Sequence, residues 1–496
     1  MSWIAHSPAS AQRAVPLAAA LGLLALPALA EMPEGVTHFT LPNGLETVVI
    51  EDPRAPVVVQ MVWYKIGAAD EVPGKSGIAH YLEHLMFKGT DRLEAGEFSR
   101  TVTANGGTDN AFTSWDFTAY FQRIASDRLP LVMDMEADRM ANLSISDEDW
   151  MAERQVVLEE RAQRVDSDPR AIFAEELNAT LYYNHPYGRP IIGWRDEIAA
   201  LTREDAIAWY DTHYSPHDAI LVVAGDVTAD EVRALAEEYY GPIPAKGEAA
   251  PRLRPQEPQQ RTARRLEMSD PRVAQPQMTR RVLAPARQPG DQRQAAALTV
   301  LADLLGGSTQ TSVLGRDLVL GGTALWVSAS YSGLSVDQTD FGLALVPAEG
   351  TTPEAAEAAL EAALARFLEN GPDPADLERV KTRIRASEIY ARDSAHGRAY
   401  EYGQGLATGL SVEDVNDWPE ILTEVTAEDV AAAARLVLDQ PAHVTGWLLP
   451  AEPDETDAPL AADDAGTAAP QPASAPPPDR PAPEAAPSTA GQEVQG

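Results

Sequence analysis

The sequence predicts an α+β protein built from two similar α/β sandwich domains, and three observations support this prediction. First, 496 residues are too many for one compact core, because a single domain usually holds roughly 100–200 residues. Second, strand-like and helix-like segments alternate along most of the chain. Third, a similar order of elements occurs on both sides of a Pro- and Gln-rich stretch, residues 246–268, which we interpret as a linker.

The first domain is assigned to residues 31–245. Val57–Trp63 is an apolar run typical of a buried strand, and Gly77–Lys88 has apolar residues at helical spacing. In this domain we also expect strands at 119–124 and 219–224. Helices are expected within 129–164, 203–212 and 229–238.

The second domain is assigned to residues 269–450. Its element order, helix, two strands and two further helices, is similar to that of the first domain. We predict helices at 295–305, 353–370 and 374–390 and strands at 324–331 and 341–347.

Both ends of the chain are predicted to lie outside the folded domains. Residues 1–30 combine Arg13, the apolar stretch Ala14–Leu29 and a small residue at each side of Leu29, as in a cleaved signal peptide. This pattern predicts export to the periplasm or secretion, with no membrane segment after cleavage. Residues 451–496 are rich in Pro, Ala and acids, so we expect a disordered tail.

Composition excludes several classes of function. The formal net charge of -36 argues against nucleic-acid binding and against adhesion to an anionic membrane, because both require clustered Lys and Arg. The chain has no cysteine, so disulfides are excluded, and a metal site would have to use His and carboxylate ligands.

The segment with the clearest chemistry is His80-Tyr-Leu-Glu83-His84. Residues four apart lie on one face of a helix, so His80 and His84 can bind one metal ion. Two imidazoles, one carboxylate and an open position are typical of catalytic zinc. Glu83, adjacent to this pair, is then the candidate general base that activates the attacking water. The alternative is a surface helix with two unrelated histidines and a solvated glutamate.

A third ligand is expected from the acidic helix that begins after Ser146. Glu153 and Glu160 are seven residues apart, so they share one helix face, which Val156 and Val157 suggest points inward. Buried carboxylates are rare unless they are paired or bind metal. Helical phase favours Glu160 as the ligand and Glu153 as a supporting acid in the catalytic site.

Together these motifs resemble the pitrilysin/insulinase family of zinc metallopeptidases. His-x-x-Glu-His, reversed from the common zincin order, is the signature of inverzincins. The similarity extends over about residues 35–450. The motifs that carry it are Gly77–Thr90, Gly106–Thr113, the pair Glu153 and Glu160, His185–Gly188 and Tyr210–Pro216.

The resemblance implies a processing-peptidase-like clamp of two related domains, with one Zn²⁺ per chain bound in the first and an inactive second domain. It also implies that peptide substrates add as a strand beside Asn110, Ala111 and Phe112. Such binding uses main-chain groups, so specificity should be broad.

The chain departs from the single-chain members of this family in its second domain. There an Arg and a Tyr reach toward the substrate carbonyl, but the positions that align here hold Val319 and Trp326. Arg316 lies three residues before the Arg position. A heterodimeric branch of the family places zinc on one chain and the Arg/Tyr pair on another. This chain resembles the zinc-bearing subunit, so we expect a homologous partner, with a homodimer as the alternative.

The leading hypothesis is therefore a zinc endopeptidase that hydrolyses oligopeptides or unfolded segments. The alternative is a non-catalytic zinc-binding subunit of a peptidase-like assembly. A zinc site with only a structural role would leave Glu83 without a purpose.

Overall fold

The computed structural model describes residues 35–247, 252–391 and 393–451. The expected signal peptide lies outside these ranges, as does the expected tail apart from Ala451. Within the described ranges, no helix is both long enough and apolar enough to cross a bilayer.

The described residues before 248 form a six-stranded sheet and eight helices. The strands are β1 (Val36–Thr40), β2 (Glu46–Glu51), β3 (Val57–Tyr64), β4 (Thr108–Thr113), β5 (Thr118–Ala125) and β6 (Ala219–Gly225). The helices are α1 (Ile78–Leu85), α2 (Glu97–Ala104), α3 (Leu129–Asn142), α4 (Asp147–Arg161), α5 (Pro169–Leu181), α6 (Arg195–Ala200), α7 (Arg203–His213) and α8 (Ala229–Tyr239).

The described residues after 251 form a five-stranded sheet and six helices. The strands are β7 (Arg264–Asp270), β8 (Gln277–Ala284), β9 (Ala324–Tyr331), β10 (Thr339–Pro347) and β11 (Val444–Pro450). The helices are α9 (Arg293–Gly306), α10 (Pro353–Asn370), α11 (Pro374–Ala391), α12 (Ala395–Ala407), α13 (Val412–Glu424) and α14 (Ala427–Leu438).

The two halves share one topology. The first sheet has the order β1-β2-β6-β3-β5-β4 and the second has the order β7-β11-β8-β10-β9. Among the described strands, each sheet has one parallel pair, β2–β6 in the first and β7–β11 in the second. In both halves a hairpin leaves one strand at the sheet edge, β4 or β9. The predicted fold class, two similar α+β domains, is therefore confirmed.

Each half exchanges one helix with the other. Helix α12 of the second half packs on β3 and β6, and α5 of the first half packs on β11, β7 and β8. Both contacts need a glycine opposite an aromatic ring. A Cβ at Gly403 would overlap the Trp63 indole, and one at Gly446 would lie 2.6 Å from Cζ of Phe173. The helices of each half cover the opposite face of its own sheet and enclose a separate apolar core.

The segment between the halves differs from the predicted linker. Strand β7 begins at Arg264, so residues 264–268 belong to the second sheet and not to the linker. The residues before it also make specific contacts. Glu257 accepts backbone hydrogen bonds from Tyr183, Asn184 and His185. The predicted linker shows no regular spacing of apolar residues, which is why it was not assigned to a helix or strand. Hydrophobicity patterns carry no information about polar contacts such as those of Glu257.

Candidate metal centre

Helix α1 carries the His-x-x-Glu-His segment and is anchored at its first turn. Gly77, with φ of 89°, turns the chain into the helix, a conformation that favours glycine. The buried carboxylate of Glu71 accepts hydrogen bonds from the backbone N–H groups of Gly77 and Ala79, each at 3.0 Å. These bonds satisfy N–H groups that a helix start leaves unpaired. His80 follows directly.

Helix α4 brings the acidic residues to the same place. It begins where Oγ of Ser146 accepts a hydrogen bond from the backbone of Asp149 at 3.0 Å, and it packs against α1. Glu153 and Glu160 lie on the face toward α1, as their spacing predicts. Val157 is also buried, but Val156 is 49% exposed, so the inward face is narrower than expected.

His80, His84 and Glu160 converge on one point between the two helices. Oε2 of Glu160 lies 3.7 Å from Nε2 of His80 and 3.2 Å from Nε2 of His84. One donor atom from each residue lies within 4.8 Å of the others. Within the described parts of the chain, no other group of three His or acidic residues is arranged to hold a metal ion.

Two buried atoms at this point have unsatisfied hydrogen-bonding capacity. Oε2 of Glu160 and Nδ1 of His80 make no hydrogen bond. Buried polar atoms are normally paired, so a missing partner requires an explanation. A cation near Oε2 would supply one for Glu160. Two imidazole nitrogens and one carboxylate oxygen are the ligand set of a catalytic zinc site, so the residues present fit zinc.

His84 is held from its other side by Glu153. Nδ1 of His84 and Oε1 of Glu153 are 2.9 Å apart, and Lys88 forms an ion pair with the same carboxylate. This bond orients Nε2 of His84 toward Glu160, as outer carboxylates do for metal-binding histidines. Burial opposes charge on His84, but the hydrogen bond to Glu153 and the nearby negative carboxylate of Glu160 raise its pKa to about 9.

The pKa values of the other two candidate ligands, His80 and Glu160, are both lowered. Burial lowers the pKa of His80 to about 4, so its ring is neutral near pH 7. The pKa of Glu160 is lowered to about 2, because its interactions with His84 and His80 outweigh the opposing effect of burial. A neutral imidazole and an ionised carboxylate are the forms that bind metal.

Glu83 lies beside this group and is held by the edge strand. Oγ1 of Thr113, the last residue of β4, donates a hydrogen bond to Oε2 of Glu83 at 2.5 Å. Burial raises the pKa of Glu83 to about 7. A carboxylate with a pKa near the working pH is suited to general acid–base chemistry.

Asn110, Ala111 and Phe112 lie on β4, which pairs with β5 alone among the strands that the structure describes. The backbone N–H of Ala111 donates to Oδ1 of Asn110 at 2.9 Å. The ring of Phe112 packs on Trp63 and on Tyr400 of α12, with centroid distances of 5.2 and 5.4 Å. The structure therefore places all three residues on an edge strand that also touches Glu83.

The second half supplies neither an arginine nor a tyrosine at the aligned positions. Val319 ends a single π-helical turn, Gly315–Val319, and Trp326 lies on the edge strand β9 with 49% of its surface exposed. Arg316 is engaged elsewhere, because its guanidinium contacts Asp376 at 2.5 Å and the carbonyl of Thr311 at 2.6 Å.

Comparison with known proteins agrees with this geometry. The model of the insulinase family, peptidase family M16, matches residues 46–194, and the M16 inactive-domain model matches residues 200–384. The zinc protease PqqE of Helicobacter pylori is 30% identical over 413 residues, which are 83% of this chain and 92% of that protein. The chain belongs to the M16 peptidase family.

Solved M16 structures have the same architecture. A protease from Helicobacter pylori superposes with a TM-score of 0.78 at 29% identity, covering 84% of this chain and 99% of that one. The periplasmic protease PqqL from Escherichia coli gives a TM-score of 0.72 at 19% identity, over 84% of this chain and 48% of that one, and shows the shared fold.

Sequence patterns identified the three candidate ligands that the structure brings together, but missed several residues that support them. Glu71 and Lys88 were not predicted, because their partners lie on other elements or several residues away. Thr113 was recognised only as part of a motif, and nothing in β4 alone indicated its bond to Glu83. Arg164 was also missed, although its i,i+4 spacing from Glu160 could have indicated their 3.1 Å ion pair.

Proposed function

We propose that this chain is a zinc-dependent endopeptidase that hydrolyses peptide bonds in oligopeptides or unfolded segments. The observation that carries the proposal is the convergence of His80, His84 and Glu160 beside Glu83. Glu83 is partially buried and accepts a hydrogen bond from Thr113. We therefore assign Glu83 as the general base and Glu160 as the third ligand.

The roles of the individual residues follow from their contacts. His80, His84 and Glu160 would hold the zinc, which when bound would act as a Lewis acid on water and on the scissile carbonyl. Glu83 would accept a proton from the attacking water and deliver it to the leaving amine. Glu153 would keep His84 in the tautomer that leaves Nε2 free to bind zinc.

The edge strand supports an extended peptide as the substrate. A peptide can add to the free side of β4 through main-chain hydrogen bonds. Asn110 and Ala111 would then exchange their mutual hydrogen bond for bonds to the substrate. Because main-chain groups are common to all peptides, we expect broad sequence preference.

The second half supports a divided active site. Donors placed where negative charge develops make a large contribution to amide hydrolysis. Val319 has no side-chain donor, Trp326 offers a neutral indole N–H in place of the tyrosine hydroxyl, and Arg316 is paired with Asp376. We therefore propose that a homologous partner subunit supplies an Arg/Tyr pair in a heterodimer, with a homodimer as the alternative.

The proposed location is the periplasm or the outside of the cell. This proposal depends on the signal-peptide pattern of residues 1–30. It is compatible with PqqL, which shares this fold and is described as periplasmic.

The test is hydrolysis of an unstructured quenched-fluorescent peptide by residues 31–496 loaded with zinc. Glu83→Gln and a chelated sample should both be inactive, whereas Glu159→Gln, a change on the exposed side of α4, should keep wild-type activity. Bound zinc is counted in each sample, and one ion per chain is expected.

The outcome also distinguishes the alternatives. Activity of the isolated chain, lost in both controls, would support the peptidase and contradict the need for a partner. If one zinc is bound and no peptide is cleaved, the partner must be added. Continued inactivity with the partner would favour a non-catalytic zinc-binding subunit.

A further inference from the structure

The segment that joins the two halves inserts an arginine into the interior. The side chain of Arg254 is only 3% exposed, although it lies in a stretch without regular secondary structure. Its guanidinium contacts three carboxylates on three different elements, Asp70, Asp116 and Asp337. We call these four residues the Arg254 hub.

The first contact reaches the base of the metal-binding helix. Nε and Nη2 of Arg254 each lie 2.8 Å from a carboxylate oxygen of Asp70. Asp70 also accepts a hydrogen bond from the backbone of Gly67 at 3.0 Å. The next residue is Glu71, whose carboxylate caps α1 just before His80. The hub residue Asp70 is thus adjacent in sequence to Glu71, which supports the metal-binding helix.

The second contact reaches the hairpin of the edge strand. Nη1 of Arg254 lies 2.5 Å from Oδ1 of Asp116, in the turn between β4 and β5. The hydroxyl of Tyr187 donates to the same carboxylate at 2.7 Å. Thr113, at the start of this turn, holds Glu83. Arg254 therefore links the hairpin that would bind peptide to the turn that precedes α1.

The third contact reaches the second half. Nη1 of Arg254 lies 3.0 Å from Oδ2 of Asp337, just before β10. The neighbouring backbone N–H of Val336 donates to Asp116 at 3.1 Å, and Nε2 of His185 lies 3.1 Å from Asp337. The second half is consequently joined to the hairpin both directly and through Arg254.

We propose that Arg254 is a positioning residue, which fixes the edge strand β4 relative to the metal-binding helix and holds both against the second half. Its consequence for catalysis depends on the function proposed above. A guanidinium presents donors in a planar fork and can satisfy three carboxylates at once, whereas the single ammonium of lysine cannot reproduce this geometry. Without the guanidinium, Asp70 would keep its ion pair with Arg252 and Asp337 would keep His185. The buried Asp116 would lose its ion pair with Arg254 and keep the neutral donors of Tyr187 and Val336, so the contact to the hairpin is the one that depends most on Arg254.

The test compares two changes in the hub with a matched change outside it. Arg254→Lys keeps the charge and loses the fork, whereas Asp116→Asn weakens the contact of Arg254 to the hairpin and keeps its contacts to Asp70 and Asp337. Arg264→Lys is the control, because Arg264, the first residue of β7, directly follows the same connection but contacts Gln260 and the carbonyls of Thr180 and Leu181, away from the metal centre. Zinc-loaded residues 31–496 are used throughout.

Hydrogen exchange of the β4 amides is measured first, because it requires neither catalysis nor substrate. The affinity for an unstructured peptide is then measured in a Glu83→Gln background, together with the melting temperature. Both hub variants should show exchange in β4 about tenfold faster and peptide affinity about tenfold weaker, the effect of losing one charged hydrogen bond. Arg264→Lys should leave both the β4 exchange rate and the peptide affinity unchanged, even where it lowers the melting temperature as much as the hub variants do.

The proposal is overturned if the hub variants and Arg264→Lys have equal β4 exchange and equal peptide affinity for equal losses of melting temperature. Arg254 would then act on global stability alone. If the Glu83→Gln protein without any change in the hub binds no peptide, the proposed function fails. The exchange comparison still decides the role of Arg254 in that case.

Discussion

The carboxylate of Glu71 accepts a hydrogen bond from the backbone N–H of Ala79 at 3.0 Å, so a buried acid caps the helix that carries His80 and His84. The same carboxylate also accepts from Gly77. Negative charge at a helix N-terminus is favourable, but burial disfavours it. The balance between these two effects leads to the first prediction.

Replacing Glu71 by Gln should flatten the dependence of stability on pH. Burial is the largest influence and raises the pKa of Glu71 from 4.5 to about 8, against the opposing hydrogen bonds from Ala79 and Gly77. Because the folded state then binds the proton more tightly, stability is highest below about pH 4.5 and is lost as the pH rises toward 8. The loss should be on the order of a few kcal/mol.

The measurement is the free energy of unfolding by urea at a series of pH values between 4 and 9. Glu71→Gln should remove most of the decline, since a neutral amide does not ionise and still offers one acceptor oxygen. If the free energy of unfolding falls equally with pH in the wild type and in Glu71→Gln, Glu71 does not cause the loss of stability.

Removing the charge of Glu153 should weaken zinc binding. Glu153→Gln removes the carboxylate that holds Nδ1 of His84 and leaves Lys88 without its ion pair. Loss of such an outer partner typically costs about 10–100-fold in metal affinity. Competition with a chromophoric chelator measures the change. Glu159→Gln, on the exposed side of the same helix, should bind zinc as the wild type does.

Changing Thr113 to Val should reduce the rate of peptide cleavage more than substrate binding. The substitution keeps the β-branched shape but removes the hydroxyl that donates to Glu83. We expect kcat to fall by about tenfold with KM little changed, since one charge-assisted hydrogen bond is lost. Thr113→Ser should restore most of the activity. A change confined to KM would indicate that Thr113 serves the peptide strand and not Glu83.

Adding a methyl group at Gly403 should separate the exchanged helix α12 from the first sheet. A Cβ at this position would overlap the indole of Trp63, which is fully buried. Overpacking of this kind costs about 1–3 kcal/mol. Gly397→Ala on the same helix is the control, because its Cβ would meet only Ser394, at 3.3 Å. Thermal unfolding of the two variants should differ clearly, with Gly403→Ala the less stable.

Filling a cavity in the second half should stabilise the protein. In the first half, the space between β3, β5 and the end of α7 is filled by Tyr64, Tyr120 and Tyr214, all fully buried. The corresponding elements β8, β10 and α14 carry smaller side chains and line an open cavity of about 350 Å³. Its lining combines apolar side chains, among them Val282, Leu343 and Leu438, with charged ones such as Arg280 and Glu361.

Leu438→Phe should fill part of this space and raise the melting temperature by a few degrees, a gain of about 1 kcal/mol. Leu438→Ala should lower the melting temperature, because it enlarges the cavity. A lower value for both variants would mean that the surrounding side chains already fit Leu438.

The sequence predicted those parts of the site that depend on spacing within one helix. His80 and His84 share one face of α1, and Glu153 and Glu160 share one face of α4, because intervals of four and seven residues return a side chain to the same helix face. Contacts between elements were not predictable in this way. The cap from Glu71, the bond from Thr113 and the three contacts of Arg254 depend on turns whose course is set by packing of the whole chain.

Hydrophobic pattern was similarly successful only within elements. It identified β3 and β6, whose residues are apolar and buried on both faces. It did not identify α12, because the Gly, Tyr and Gln residues of that helix suit a contact with the other half's sheet and give a weak apolar stripe. Strand β7 was assigned to the linker because Arg264, Arg265 and Glu267 hide its alternation.

Because α5 and α12 each pack on the sheet of the other half, each half needs the other in order to fold. A gene cut at the segment between β6 and β7 would yield two fragments, each with an uncovered apolar sheet face and an unmatched helix. Neither fragment should form a stable monomer, whereas the two produced together should reassemble. The two exchanged helices hold equivalent places in the two halves, so the single chain has the symmetry of a two-chain assembly in which each subunit contributes one helix to the other.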